Sequence, residues 1–170
     1  MSRTKLPLWL LKDPEQARLL RFTASDVDLR VISTSTFQQL IDDMVVTMYQ
    51  ANGIGLAAPQ IGQSLRLAVI APEVDSALTE PLVIINPTIA KPSSEQEVIE
   101  EGCLSIPKVF GPVHRALALT VQAVDRRGRP FRLSASGLLA RVIQHEVDHL
   151  LGRLFIDRAD HISSGQKFLP

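Results

Sequence analysis

The clearest periodicity in the chain runs through residues 37–48. Phe37, Leu40, Ile41, Met44, Val45 and Met48 recur at three- and four-residue intervals, while Gln38, Asp42, Asp43 and Thr47 fill the other face. That spacing predicts an amphipathic helix with its apolar stripe turned to a core. Thr34, Ser35 and Thr36 offer N-cap oxygens just before it, and Asn52-Gly53 offers a stop just after. Met44 and Met48 read as packing residues on the stripe. The period then changes from helical to extended. Residues 65–70, interrupted by Arg66, and 82–85 are short strand-like runs, and Val98 and Ile99 lie in an acidic stretch that can run extended. Residues 117–124 alternate Leu117, Leu119, Val121 and Ala123 with polar or small neighbours, the mark of a half-buried strand. Asp125-Arg126-Arg127-Gly128 reads as a hairpin turn returning through residues 131–133. A last helix follows, capped by Ser134 or Ser136 and stopped by Gly152. It carries Leu138, Leu139, Val142, Ile143, His145, Glu146 and His149 on its turns. Residues 1–33 show no clear period, and 6–11 read as an arm or edge strand. Strands gathered between helices, rather than alternating with them, predict an α+β fold.

Length and charge narrow the class. The 170 residues show no repeat and no long linker, which predicts a single domain over residues 1–170. A chain of this mass buries roughly 70% of its unfolded surface, so it needs no disulfide framework; one cysteine could not supply one. Eighteen basic and eighteen acidic residues cancel, which argues against an electrostatic nucleic-acid binder. The apolar runs fall far short of the ~20 residues of a spanning helix, and residues 6–11 have no cleavage site after them. A reducing, cytoplasmic setting fits best, with a mature organelle form as the alternative.

The strongest chemical signal is His145-Glu146-Val147-Asp148-His149. On a helix, two histidines four apart lie on one face and can reach one ion, with Glu146 beside them to take a proton from a water that the ion activates. A catalytic site needs a third ligand. The His-x-x-Gly-x-x-His extension of the metzincin proteases fails at Phe155, and no Glu follows His149 to serve as in thermolysin-like proteases. Asp157, Asp160 and His161 remain downstream options. Upstream, Cys103 stands in Glu101-Gly102-Cys103-Leu104-Ser105, whose Gly102 and Ser105 are not core-like; this favours Cys103.

Three segments together resemble the peptide deformylases: Gly53-x-Gly55-Leu56-Ala57-Ala58-x-Gln60, Glu101-Gly102-Cys103-Leu104-Ser105 and Gln144-His145-Glu146-x-x-His149, in that family's order. The likeness covers about residues 35–157. It implies mostly antiparallel sheets packed around a central helix bearing His-Glu-x-x-His, with an N-terminal amphipathic helix. It implies Cys103, His145 and His149 as ligands of Fe²⁺, with Zn²⁺, Ni²⁺ or Co²⁺ as substitutes. It further implies Glu146 as the base, and the Gln60 amide with the Leu104 backbone N–H as oxyanion donors. Gly55 and Gly102 would pair with an extended substrate, and Ile54, Leu138 and Val142 would line a methionine pocket. Gly53 and Gly55 would supply positive φ or close approach, with Gly53 also serving as a helix cap. Arg115 would pair with Glu101; Arg141 faces either the pocket rim or solvent. Phe110 replaces a polar or basic residue found in some members. The implied activity is removal of the formyl group from N-terminal formyl-methionine of newly made polypeptides, near the ribosome and without nucleic-acid or membrane contact. A catalytically dead peptide-binding homologue and a general zinc endopeptidase are the competing readings. The retained Glu146 argues against the first, and the missing downstream ligand against the second.

Overall fold

The computed structural model describes residues 4–164. Its helices are α1 (Pro14–Leu20), α2 (Ser35–Gln50) and α3 (Gly137–Leu150). Its strands are β1 (Gly55–Ala57), β2 (Leu67–Ile70), β3 (Leu82–Ala90), β4 (Gln96–Cys103), β5 (Ile106–Ala116), β6 (Ala118–Val124), β7 (Pro130–Ser136) and β8 (Ser163–Ser164). All the strand pairs are antiparallel, in a five-stranded sheet ordered β1-β2-β3-β6-β7 and a three-stranded sheet ordered β4-β5-β8. The architecture is therefore α+β. No helix among the described residues is long and apolar enough to cross a membrane.

Around β2 and the first half of β3 both faces of the larger sheet are buried, and strand alternation decides which helix each residue meets. Leu67, Val69, Val83 and Ile85 pack with Phe37, Ile41, Met44 and Met48 of α2. Their neighbours Ala68, Ile70 and Ile84 pack with Leu139, Ile143, Val147 and Leu150 of α3. This explains why residues 67–70 form an unbroken apolar run rather than an alternating one. Each fully buried large side chain here contributes about 1.5–3 kcal/mol of transfer free energy. On its other side, α3 turns polar residues to the β4–β5 hairpin: the Gln144 amide donates to the Ala116 carbonyl at 3.0 Å and accepts from its N–H at 3.1 Å.

Several expectations need correction. The amphipathic helix is the second in the chain; α1 precedes it, nucleated by Asp13 accepting from the N–H groups of Glu15 and Gln16, with Pro14 in the first turn. Thr47 does not face solvent. The N-terminal arm covers it, and the Leu6 N–H donates to its hydroxyl at 2.8 Å. The helix stop uses Asn52, not Gly53, in the left-handed region (φ +56°). Gly53 follows it and donates to the Met48 carbonyl at 2.9 Å, completing a Schellman turn. Ser136 is the N-cap of α3 but makes no side-chain capping bond. The eleven-residue β5 was invisible in the pattern because Pro107, Gly111 and Pro112 interrupt it. Prolines are tolerated there because, apart from β4, β5 has only short pairings, at Val109 and Phe110 with β8 and at Val113 with Ala159.

Candidate active site

The His-Glu-x-x-His segment occupies the last two turns of α3. Helical geometry puts His145 and His149 on one face, with ring centroids 5.0 Å apart. Cys103 comes from the end of β4, where a register shift between Gly102 and Cys103 breaks the hairpin ladder. The irregularity lies beside the site, a common use of such features. Cys103 Sγ lies 3.2 Å from His149 Nε2. One donor atom each from Cys103, His145 and His149 falls within 4.8 Å of the others. Among the described residues this is the group with metal-ligand spacing. The alternative third ligands are elsewhere: Asp157 pairs with Arg21, and Asp160 with His114 at 3.2 Å.

The donor set fits a transition metal. A thiol and two imidazoles suit iron, zinc, cobalt or nickel. His145 Nδ1 lies 2.9 Å from Glu101 Oε2, so its Nε2 is the nitrogen left for an ion, the usual carboxylate–histidine arrangement. Burial, with the charges of His145 and Arg115, drives the pKa of His149 well below its ordinary value, which keeps its lone pair available. His145 behaves oppositely. Burial works to lower its pKa, but contact with Cys103 and Glu101 and the charge of Glu146 push it up to about 10. A metal ion competes for that nitrogen with a tightly held proton.

Glu146 is 3% exposed. Burial, helped by the charge of Glu101 and opposed by His145 and Arg115, pushes its pKa up to about 7. A carboxylate so poised suits proton transfer at neutral pH. Its Oε2 is buried without a protein partner, while a Cβ added to Gly55 would sit 2.2 Å from Oε1. Gly55 therefore serves close approach rather than positive φ. Gln60 is equally constrained. Its oxygen accepts from the Ala57 N–H at 2.9 Å, which aims its amino group at Cys103 Sγ (3.4 Å) and Ser105 Oγ (3.3 Å).

These groups face a cleft of about 680 Å³. Ile54, Leu138 and Val142 give it an apolar wall, as does Phe110. Gly55, Gln60, Gly102, Leu104, Cys103, His145 and Glu146 also line it, whereas His149 lies behind them, 1% exposed.

Beneath the cleft is a buried ionic network that sequence reading found only in part. Arg115 donates to both oxygens of Glu101 at 2.9 Å, as the resemblance implied, and also to Asp148. Arg158 pairs with Asp148 at 2.7 Å. Burial opposes ionisation of Glu101, but His145 and Arg115 hold its carboxyl well below the usual carboxylate range. The link from Glu101 to His145 was missed; Arg141, left between the pocket rim and solvent, lines the cleft and also bonds inward to Glu101, which was not foreseen. The one available signal was an arginine, a turn before a histidine, on the face turned towards the cleft.

The family of polypeptide deformylases matches this chain over residues 7–164. The chain belongs to that family. It is 48% identical over 152 residues to peptide deformylase 2 of Xanthomonas campestris pv. campestris, covering 89% of this chain and 85% of the relative. It is 46% identical over 151 residues to the peptide deformylase of Rhizobium meliloti, covering 89% and 83%. Among solved structures, a peptide deformylase from Synechococcus elongatus in complex with actinonin superposes with a TM-score of 0.81 at 44% identity, covering 95% of this chain and 82% of that one. A peptide deformylase from Acinetobacter baumannii with Met-Ala-Ser bound gives 0.84 at 34% identity, covering 92% and 99%.

Proposed function

We infer that this family member removes the formyl group from the N-terminal formyl-methionine of newly made polypeptides, working as one catalytic domain over residues 1–170. The observation that carries this reading is the cleft in which a buried carboxylate, Glu146, adjoins the Cys103, His145 and His149 donors beside an apolar wall. The fold reading behind it is of antiparallel sheets packed around a central helix, α3, with α2 as the amphipathic support.

Cys103, His145 and His149 would hold Fe²⁺, or Zn²⁺, Ni²⁺ or Co²⁺ in its place; such an ion lowers the pKa of water and polarises a carbonyl. Glu146 takes the proton of the attacking water and delivers it to the leaving amine. Water and formyl-peptide thus give formate and a free N-terminus. The Gln60 amino group and the Leu104 backbone N–H donate to the oxyanion as it develops. Gly55 and Gly102 let an extended peptide lie close along β1 and β4 and bond through its main chain. Ile54, Leu138 and Val142 take the methionine side chain. This reading has the enzyme work in the cytoplasm, or in an organelle as a mature form, close to the ribosome and on the peptide rather than on nucleic acid.

The deciding assay is formate release from formyl-Met-Ala-Ser by anaerobically prepared protein, with bound metal counted. Formate with about one ion per chain is the expected result. Metal without formate would favour a peptide-binding homologue, and no metal would remove the ligand assignment.

A further inference from the structure

Arg141 is a buried charge that the reaction itself does not use. It is 5% exposed and sits on α3 one turn before His145, so both side chains leave the same face. Its Nη1 donates to Glu101 Oε1 at 2.8 Å and to the Val113 carbonyl at 3.1 Å, and its Nη2 donates to the Glu97 carbonyl at 2.7 Å. One guanidinium thus joins α3, both strands of the β4–β5 hairpin, and the carboxylate bonded to His145.

Its charge is more than neutralising Glu101 requires, since Arg115 already binds that carboxylate through two nitrogens. What Arg141 adds is geometry. Oε1 of Glu101 takes Arg115 and Arg141; Oε2 takes Arg115 and His145. A carboxylate has about four acceptor sites, so all are occupied and rotation would break a charge-assisted bond. Arg115 ties the hairpin to α3 through Asp148, three residues after His145; Arg141 makes the matching tie four residues before it. His145 is bracketed.

We propose that Arg141 is a positioning residue for the metal site. By saturating Glu101 and clamping the hairpin to α3, it fixes the His145 ring and the separation of Cys103, on the hairpin, from the two histidines, on the helix. The proposal rests on Cys103, His145 and His149 being the ligands. Arg141→Lys supplies a point charge for Glu101 but no planar fork to span two carbonyls, and Arg141→Met supplies neither.

The test titrates metal-free protein with Co²⁺ alone against a competing chelator. It follows the visible cobalt–thiolate spectrum and records the melting temperature of the same metal-free samples. Arg141→Met should bind Co²⁺ about 10- to 100-fold more weakly, with a shifted spectrum, and Arg141→Lys should recover part of both. Unchanged affinity and spectrum in both variants would overturn the role, whatever the melting temperatures do. If the Met variant does not fold, Arg141→Lys decides alone: weaker binding with a shifted spectrum supports the role, and unchanged values overturn it. If the unaltered protein binds no Co²⁺, the ligand assignment fails and this role with it; if all three bind alike, only the role of Arg141 fails.

Discussion

Helices α2 and α3 end alike but are held in different ways. Each closes on a left-handed residue, Asn52 or Gly152, followed by a bond back to the carbonyl five residues earlier, Gly53 to Met48 and Arg153 to Asp148. Yet α2 meets the sheet through an apolar stripe, whereas α3 sets apolar residues on the sheet and Arg141, His145 and Asp148 against the β4–β5 hairpin. Apolar burial is non-directional and accommodates small shifts. Buried charges are tolerable only when each finds its partner in good geometry. The helix that carries chemistry is therefore the one pinned by buried ionic bonds, while the polar bonds of α2, such as Leu6 to Thr47 and Arg126 to Gln38 and Asp42, involve neutral or partly exposed groups.

The largest expected effect is on chemistry alone. Glu146→Ala should lower the rate of formate release by about 10²- to 10⁴-fold while bound metal, counted by elemental analysis, stays the same. Near-normal turnover would remove Glu146 as the base. Next comes the ionic side of α3. Glu101→Ala leaves Arg141 in the interior without a carboxylate and Arg115 with Asp148 alone, and should cost about 3–5 kcal/mol in urea unfolding, with metal lost as well. If that variant kept both stability and metal, the contrast between the two helices would collapse. On the apolar side, Met44→Ala should cost about 2–5 kcal/mol and leave the activity of the folded fraction unaltered. A large drop in kcat there would show that α2 also shapes the site.

Two smaller effects sharpen the picture at the edges. Thr34 accepts from the Phe37 N–H at 3.3 Å as the cap of α2, so Thr34→Ala should cost about 1 kcal/mol in the same unfolding assay. Asp157 titrates. Its burial raises the pKa, but Arg21 and the Leu154 N–H outweigh this and hold it below the ordinary value. A depressed carboxylate contributes stability that is full above its unfolded pKa, about 3.9, and is lost as pH falls through the lower folded value. Asp157→Asn should therefore flatten the stability–pH curve below about pH 5, by less than about 1 kcal/mol because the pair is partly exposed. An unchanged acid limb would show that the pair contributes nothing.

Sequence alone carried α2, the Asp125–Gly128 turn, the Gly152 stop and the three motifs, because each is written in residues close together in the chain. Periodicity, turn chemistry and capping act over a few positions, and the motif spacing puts His145, Glu146 and His149 on one helix without help from the rest of the fold. Only the tertiary structure decided what lies across from them. Cys103 and His149 are 46 positions apart, Glu101 and His145 are 44, and Arg141 and Glu101 are 40. No local rule pairs such residues. Whether Arg141 points to solvent or into a shared carboxylate depends on where the β4–β5 hairpin docks, and that docking is settled by long-range packing.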